Sequence, residues 1–426
     1  MMHCKIHARV RLRMVRGRFL QGERPPIPGA LDPARRGRLQ AGVQVQADVR
    51  EPLRAESDRA GTPSLAPSLR VFVHLATDKD AAAWRRAWQA GTLVGVNEET
   101  PYGYGRAERM GCTLAFSRAF PEKPAVRFLR LGLRVLAGFD LLHALRQGRA
   151  LREADVVWTH TESQFLAVAA ALAFRAQRPQ LIGQSVWLFD RWERLGPLHR
   201  MLYRRLIRDV DVLTVHSTEN LAVARALFPG KRVLHVPFGI PSERITPPVR
   251  RPGRPLRVLA LGSDRHRDWA CLAAALDGVP EASAIILSGT APRRLARGRP
   301  NLRVGRARSQ AELAAHFAEA SVVCVPLKPN RHASGITVIQ EAVLAGLPVV
   351  ATATGGLEGY FGPDAVRYVP PGDPAALRAA LLEIAADPEA ARARAERAQA
   401  RMIEAGIGAE TYIRRHVEIS REMLDR

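Results

Sequence analysis

A short run of polar and small residues, Ser334-Gly335-Ile336-Thr337, opens a hydrophobic segment that has the length of a helix. The first N–H groups of a helix have no partner within it and lie at the positive end of its dipole, so they bind anions. Gly335 lacks the side chain that would hold a phosphate away. Lys328 and Arg331, just upstream, carry charges that neutralise phosphate. The pattern predicts a phosphate site at residues 334–337.

Glu341 is an acid inside this otherwise apolar helix, roughly one turn beyond Thr337. A carboxylate accepts hydrogen bonds from two neighbouring hydroxyls, which is what a ribose offers. Together with the phosphate site, Glu341 predicts a nucleoside diphosphate. The alternative interpretation is an acid that interacts with the helix dipole, a common feature of surface helices.

The segment LGSDRHRDW, residues 261–269, supplies a second candidate phosphate loop. Gly262 lets the backbone approach a ligand closely, and Arg265 and Arg267 place charge at the end of a predicted strand. Asp268 is predicted to cap the next helix. The alternative is a capped loop whose charges are simply solvated.

The candidate phosphate and ribose residues lie in a chain in which short β-rich runs alternate with helical segments, and these elements position them. They occur over residues 69–240 and again over 257–408, and the Pro- and Arg-rich segment 241–256 between them reads as a linker. Strand–helix–strand alternation predicts parallel sheets covered on both faces. We therefore predict an α/β protein with two tandem Rossmann-like, doubly wound domains that face a cleft, where ligands bind at the strand ends.

Residues 1–68 have a different composition, with 13 basic and 6 acidic residues and no sustained hydrophobic period. Such a segment is predicted to be a disordered basic extension. Two further interpretations stay open: a basic arm that touches a membrane, and an upstream extension from a misassigned start codon.

The net charge of +23 predicts attraction to polyanions such as an anionic membrane or phosphorylated substrates. Coding bias is the alternative, because only five of the 64 basic residues are lysine. No aromatic-rich RNA-binding strand is recognisable, so nucleic acid is not an expected partner. The four cysteines have no metal-site or disulfide spacing, and no run is apolar enough to span a bilayer. A cytoplasmic location is expected.

Residues 127–149 carry apolar side chains at helical spacing with arginines interleaved, and residues 198–208 are similar. One interpretation is a helix lying in an anionic bilayer interface. The other, which the sequence favours, is an ordinary amphipathic helix with its apolar face inward and its arginines outward.

Residues 334–342, followed by Ala345-Gly346-Leu347-Pro348-Val349-Val350-Ala351-Thr352, resemble the donor-site signature of GT-B glycosyltransferases, especially family 4-like enzymes. Val369-Pro370-Pro371-Gly372-Asp373-Pro374 is similar to the segment that trails that signature. The resemblance covers residues 69–426 and is closest to enzymes of exopolysaccharide biosynthesis. It implies that the last helix, residues 409–426, returns to the first domain.

Two departures from the family pattern bear on the sugar. The first acid of the family's Glu-x7-Glu pair would stand at Ala333, so Glu341 alone is present. The Gly-Gly loop that usually follows the first strand is replaced by Ala76-Thr77-Asp78-Lys79-Asp80.

The resemblance implies a hexosyltransferase that needs no metal or cofactor and moves a sugar from a nucleotide-diphosphate sugar to an acceptor hydroxyl. The donor is expected to contact Gly262, Ser263, Arg265, Arg267, Lys328, Ser334, Gly335, Ile336, Thr337 and Glu341. The expected acceptor is a lipid-linked or polysaccharide intermediate at the inner membrane face. Two alternatives stay open: a nucleotide-sugar epimerase of the same fold, and a non-catalytic polyanion-binding protein.

In the first domain, three loops are expected to face the cleft. His160 and Glu162 follow a predicted strand, and either is a candidate general base for an acceptor hydroxyl. Asp78, Tyr102 and Tyr104 are expected on the acceptor side, where aromatic rings suit a sugar. The alternatives are a histidine satisfied at a sheet edge for His160 and a helix cap for Glu162.

Overall fold

The computed structural model describes residues 68–173, 175, 177–250 and 254–425. The basic extension predicted for residues 1–68 therefore lies outside the described residues, except for Ser68. The described chain contains two parallel six-stranded sheets, one after the other in sequence.

The first sheet has the strand order β2-β1-β3-β4-β5-β6. Its strands are β1 (Leu69–His74), β2 (Cys112–Phe116), β3 (Val156–Thr159), β4 (Gln180–Ser185), β5 (Val212–Val215) and β6 (Val233–His235). Its helices are α1 (Ala81–Gln89), α2 (Pro124–Ala137), α3 (Leu141–Arg146), α4 (Gly148–Glu153), α5 (Glu162–Leu172), α6 (Leu188–Arg191), α7 (Pro197–Arg208) and α8 (Thr218–Leu227). Short 3-10 segments occupy Thr77–Lys79, Pro101–Met110 and Trp192–Arg194.

The second sheet has the order β12-β11-β10-β7-β8-β9. Its strands are β7 (Leu256–Leu261), β8 (Ala282–Leu287), β9 (Leu302–Gly305), β10 (Val322–Val325), β11 (Val349–Thr352) and β12 (Arg367–Val369). Its helices are α9 (Trp269–Ala275), α10 (Gln310–Glu319), α11 (Ile336–Leu344), α12 (Pro374–Ala386) and α13 (Pro388–Glu404), with a 3-10 segment at Arg293–Ala296. The last helix is α14 (Ala409–Leu424).

The central strands form continuous buried runs because each sheet is covered on both faces. All residues of β3, β5, β10 and β11 are buried. Two hydrophobic core clusters flank each sheet. This is the doubly wound α/β arrangement that the sequence predicts, and the prediction of the fold is confirmed.

Helix α14 packs against the first sheet although it follows the second. The Trp158 indole donates to Ser420 Oγ at 2.9 Å, and the Tyr412 hydroxyl donates to Gln184 Oε1 at 2.5 Å. The two sheets are also joined where Ile240 N donates to Gln340 Oε1 at 2.9 Å. These buried contacts fix the two domains around a common cleft.

Residues 127–149 differ from the single helix that their periodicity predicts. Helix α2 ends at Gly138, which has the left-handed φ of +83° that glycine adopts readily, and Asp140 caps α3. Arg127 and Arg134 face outward as expected, but the expected burial of the apolar face is wrong, and so is the expected exposure of Arg130. Arg130 is buried and paired with Glu122 and Asp140, while large apolar side chains face outward.

Within the described part of the chain, no helix combines the length and apolar character that crossing a bilayer requires.

Candidate functional site

A cleft of about 450 Å³ lies between the two sheets, where the carboxyl ends of their strands face each other. Its volume falls in the range of small-molecule sites. Both domains contribute to its walls. Predicted site residues that line it are Tyr102, His160, Gly262, Ser263, Arg267, Ser334, Gly335, Ile336, Thr337 and Glu341.

Arg267 is the buried charge of this cleft, with 6% of its surface exposed. Its guanidinium lies between two glycines: a Cβ on Gly262 would meet Nε at 2.5 Å, and a Cβ on Gly335 would meet Nη1 at 2.5 Å. Neither nitrogen has a hydrogen-bond partner among the described residues. Burial lowers the pKa of Arg267 to about 10, so it stays charged at neutral pH. Because an unpaired buried charge is energetically costly, a buried guanidinium without a hydrogen-bond partner favours binding of an anion.

The start of α11 faces the same point. Gly335 precedes the helix with a φ of +91° and no side chain caps the first turn, so N–H groups remain free there. The buried Ser334 hydroxyl also has no partner within the described structure. The helix start, the Ser334 hydroxyl and the Arg267 guanidinium thus converge at one end of the cleft, as the predicted phosphate site would require.

Glu341 lies farther along α11 and is engaged by the first domain. Its Oε1 accepts a hydrogen bond from Val96 N at 2.9 Å, and the neighbouring Gly95 N donates to Gln310 Oε1 at 2.9 Å. Burial raises the pKa of Glu341 to about 7, although the Val96 hydrogen bond and Arg267 oppose that rise. The carboxylate that would take ribose hydroxyls is thus already an acceptor for a backbone amide.

Five residues connect the two domains beside the anion site, and we call them the interdomain cluster: Trp187, Asp190, Asp264, His266 and His332. His332 Nδ1 lies 2.5 Å from Asp190 Oδ2, and its Nε2 lies 3.2 Å from Asp264 Oδ2. Burial disfavours a charged imidazole, but the two carboxylates raise the pKa of His332 above its ordinary value. Hydrogen bonds from His266 and His332 hold the pKa of Asp264 well below its usual range, against the effect of burial.

Within the described residues, Asp264, His266 and His332 have ligand atoms within 4.8 Å of one another, which is close enough to share a metal ion. The carboxylate of Asp264, however, already accepts four hydrogen bonds. Its Oδ1 accepts from His266 N and Nδ1, and its Oδ2 accepts from Trp187 Nε1 and His332 Nε2. The group is explained as an ion-pair cluster, and metal-free chemistry stays a prediction.

The interdomain cluster predicts a pH-dependent stability. Because the folded pKa of His332 is raised, its contribution is complete below about pH 6.5, the unfolded value, and is lost as pH rises through the folded pKa. The folded pKa of Asp190 is lowered, so its contribution is lost in acid, below about pH 4. His332→Gln leaves two carboxylates without their cation and should lower the free energy of unfolding at pH 6 by about 3 kcal/mol.

Calorimetric unfolding of the wild type, His332→Gln and the control His316→Gln between pH 5 and pH 9 checks this expectation. The difference between the wild type and His332→Gln should shrink as pH rises, whereas His316→Gln should follow the wild type. A difference that is the same at every pH would contradict a charged His332.

His160 lines the cleft with its ring stacked on Tyr102 at a centroid distance of 3.5 Å. Gln184 Nε2 donates to the His160 carbonyl at 2.9 Å and also faces His160 Nδ1 at 3.3 Å. Burial, helped by His216, holds the pKa of His160 well below its usual range, so the ring is neutral. Nδ1 thus lies against both the Gln184 amide and the Tyr104 hydroxyl, so this ring nitrogen is engaged within the protein. The role of His160 as general base stays a prediction.

Glu162 does not line the cleft, although the sequence makes it a candidate base. It is buried, and its carboxylate accepts from Val186 N, Trp187 N and Arg191 Nη2 at 3.1–3.2 Å. A carboxylate occupied in this way holds the segment after β4 in place. It is also not the cap of α5, since Thr161 and Gln164 form a capping box there.

The remaining predicted residues lie outside the cleft lining. Tyr104 is fully buried behind His160, with its hydroxyl 3.1 Å from His160 Nδ1. Asp78 is exposed, as are Arg265 and Lys328. Arg331 is engaged in the domain interface, where its Nη1 donates to Phe189 O at 3.2 Å.

The sequence interpretation missed Asp264 and His332 as site residues. Asp264 stands inside the quoted loop after Gly262, so its position at a strand end was a usable signal. His332 has a role only because Asp190, 142 residues earlier in the chain, lies beside it. That pairing depends on the docking of the two domains.

Two non-glycine residues of the described chain have left-handed backbone conformations, Tyr102 with a φ of 56° and Ala333 with a φ of 54°. Both line the cleft. Such conformations cost about 1 kcal/mol or more and concentrate at functional sites. Ala333 occupies the position where the resembled family has its first acid.

Comparisons with known proteins agree with this geometry. Residues 258–387 match the family model described as "Glycosyl transferases group 1". A search of curated proteins gave no match. The match lies within the second domain and includes the residues that carry the resemblance noted in the sequence.

Among solved structures, the chain is similar to sucrose-phosphate synthase from Thermosynechococcus elongatus, with a TM-score of 0.66, 17% identity, and coverage of 84% of this chain and 99% of that chain. It is also similar to Anabaena HepE in complex with UDP and glucose, with a TM-score of 0.59, 13% identity, and coverage of 82% and 98%. A glycosyltransferase from Rickettsia africae has a TM-score of 0.52, 11% identity, and coverage of 84% and 99%. The fold is that of GT-B glycosyltransferases.

Proposed function

We propose that this protein transfers a hexose from a nucleotide-diphosphate sugar to an acceptor hydroxyl. The observation that carries the proposal is the unpartnered guanidinium of Arg267, which is buried between Gly262 and Gly335 at the start of α11. This arrangement favours a bound anion, and Glu341 farther along the same helix suits the ribose of a nucleotide. UDP is the first candidate, because the similar structure of Anabaena HepE contains UDP and glucose.

The transfer breaks the bond between the anomeric carbon and the diphosphate oxygen and forms one between that carbon and the acceptor oxygen, while the proton of the acceptor hydroxyl passes to the released diphosphate or to water. Negative charge develops on the departing diphosphate, next to Arg267 and the N–H groups of α11. Donors fixed in place before the reaction stabilise such charge most effectively, since they need no reorganisation. His160, whose neutral ring lines the cleft, is placed to form a hydrogen bond with a sugar or acceptor oxygen.

We infer further that the enzyme is family 4-like and metal-independent and belongs to exopolysaccharide biosynthesis. Its acceptor would be a lipid-linked or polysaccharide intermediate, and the protein would act as a peripheral protein at the inner membrane face. The support is the resemblance of residues 334–352 and the many arginines on the first domain.

Thermal unfolding with UDP, GDP, ADP and CMP tests the donor site. One nucleoside diphosphate should raise the unfolding temperature, since a ligand at 100 times its dissociation constant stabilises by about 2.7 kcal/mol. Glu341→Ala should remove most of that rise, because the ribose loses its acceptor. Glu319→Ala, on α10 and exposed, is the matched control and should respond like the wild type.

The absence of a shift with every nucleotide would contradict the proposal and favour a protein that only binds polyanions. A shift that Glu341→Ala retains in full would place the nucleotide elsewhere. Incubating the protein with the stabilising nucleotide's sugar conjugates then identifies the donor through release of the free nucleotide.

A further inference from the structure

Helix α2 presents its apolar side chains to the outside of the molecule. Phe128 is 77% exposed and Val135 is 78% exposed, and both stand on a helix that has no acidic residue. The polar contacts of α2 face inward instead, where Arg130 pairs with Glu122 at 2.9 Å and with Asp140 at 2.5 Å. The helix is therefore inverted relative to an ordinary amphipathic helix, whose apolar stripe is buried.

Helix α7 continues this surface. Leu198 is 74% exposed, and Met201 beside it is also exposed. The two helices meet at their ends, where His199 Nε2 lies 2.8 Å from Leu136 O and the Tyr203 hydroxyl donates to Ala137 O at 3.0 Å. The exposed Val135 and Leu136 thus lie near the junction with α7, and Phe128 and Leu129 lie about two turns back along α2.

We call these exposed residues the α2/α7 surface: Phe128, Leu129, Val135, Leu136, Leu198 and Met201. Of the 16 exposed large hydrophobic side chains in the described part of the chain, nine lie on α2 and α7. Single exposed apolar residues are ordinary on a protein surface, but a concentration of this kind marks an interaction site.

The charged residues on helices α2 and α7 themselves have one sign. Exposed arginines include Arg127 and Arg134 on α2 and Arg204 and Arg208 on α7, and neither helix contains an acid. A second copy of this face would meet it with like charges, which disfavours a dimer. The basic segment 1–68 would meet it with like charges as well. An anionic lipid surface complements both the arginines and the apolar side chains.

We propose that the α2/α7 surface docks on an anionic bilayer, with α2 lying in the interface, Phe128 and Val135 among the acyl chains, and Arg127 and Arg134 at the lipid phosphates. This surface is separate from the cleft, so docking and nucleotide binding are independent properties. A docked first domain would meet an acceptor that is itself held in the membrane.

Co-sedimentation of the full-length protein with vesicles tests the proposal, using phosphatidylcholine with phosphatidylglycerol and phosphatidylcholine alone. The wild type should bind the anionic vesicles at low salt and release at high salt. Phe128→Gln with Val135→Gln should weaken binding at least about 10-fold through lost apolar insertion. Arg127→Gln with Arg134→Gln should weaken it by about 10-fold to 30-fold through lost attraction.

Ile403→Gln is the matched control, because Ile403 is an apolar residue of the second domain that is 64% exposed. It should bind vesicles like the wild type. If the wild type and both double variants bound vesicles equally, the proposal would be overturned. Membrane attachment would then belong to another segment of the chain. The proposal would also be overturned if the wild type did not bind vesicles and light scattering showed it to be a dimer that Phe128→Gln with Val135→Gln converts to a monomer. In that case the partner of the surface would be a second copy of the chain.

The nucleotide-dependent rise in unfolding temperature, measured in the same variants, separates this proposal from the proposed function. Loss of vesicle binding with an unchanged nucleotide response supports a docking surface distinct from the donor site. If the protein binds vesicles but responds to no nucleotide, the proposal of the docking surface is supported and the proposal of glycosyl transfer is contradicted.

Discussion

Arg267→Met is expected to abolish the response of this protein to nucleoside diphosphates while leaving the free protein as stable as the wild type or more so. Two nitrogens of the buried guanidinium have no hydrogen-bond partner among the described residues, and the attraction of Asp264 and Glu341 offsets the burial of this charge only in part. Methionine fills similar space without that charge, and replacing an unpaired buried charge by an apolar side chain is neutral or stabilising.

The loss of binding should be large. Hydrogen bonds to charged groups each contribute about 1.5–3 kcal/mol, so removing two weakens binding about 100-fold or more. Titration calorimetry with the nucleotide that stabilises the wild type measures this loss. A stabilised protein that no longer binds is a combination that general damage to the fold does not produce.

Arg265→Met provides the matched control, because Arg265 belongs to the same loop but is exposed and does not line the cleft. It should change nucleotide affinity by less than about threefold, as expected for a solvated surface charge. The reverse outcome, with binding lost in Arg265→Met and kept in Arg267→Met, would contradict the assignment of the diphosphate site.

Gly335→Ala is expected to impair both folding and binding. Its φ of +91° disfavours any side chain, and the added Cβ would meet Arg267 Nη1 and Val325 Cγ1 at 2.5 Å. The left-handed conformation costs about 1–2 kcal/mol, and crowding of a packed site adds about 1–3 kcal/mol. The unfolding temperature should fall accordingly, and the displaced Arg267 should bind nucleotide far more weakly.

Gly372→Ala separates the two effects of this substitution. Gly372 has a φ of +70°, but a Cβ there meets no atom within 4 Å. It should lose only the conformational part of the stability, about 1–2 kcal/mol, and should bind nucleotide normally. Chemical denaturation and nucleotide titration of both variants give the comparison. Equal losses of stability in the two variants would show that Gly335 matters for its backbone conformation alone.

The strands could be predicted because parallel strands buried on both faces read as short continuous apolar runs. Residues 322–325 and 349–352 are examples, and both are buried throughout. The break in residues 127–149 could not be read from hydrophobic periodicity, since that period continues across it. Gly138 and Asp140 form a helix end and a helix start, and that local chemistry overrides the period.

The candidate site, too, contains residues that the sequence could identify and contacts that it could not. Gly335, Arg267 and Glu341 belong to short local patterns, a strand end and a helix start, and the sequence identified them. The hydrogen bonds that occupy the Glu162 carboxylate and the burial that keeps the His160 ring neutral depend on groups that tertiary packing brings near, such as Arg191 beside Glu162. A sequence pattern gives the type and order of titratable groups, but their proton and hydrogen-bond partners come from the packed structure.

The hydrogen bond from Val96 to Glu341 links the candidate donor site to the first domain. Val96 N uses Oε1 alone, and an ionised carboxylate has two oxygens with about four acceptor sites, so a ribose hydroxyl can bind the same side chain at the same time. A nucleotide bound in this way would share Glu341 with the segment of Val96, so that one carboxylate would connect the nucleotide, the second domain and the first.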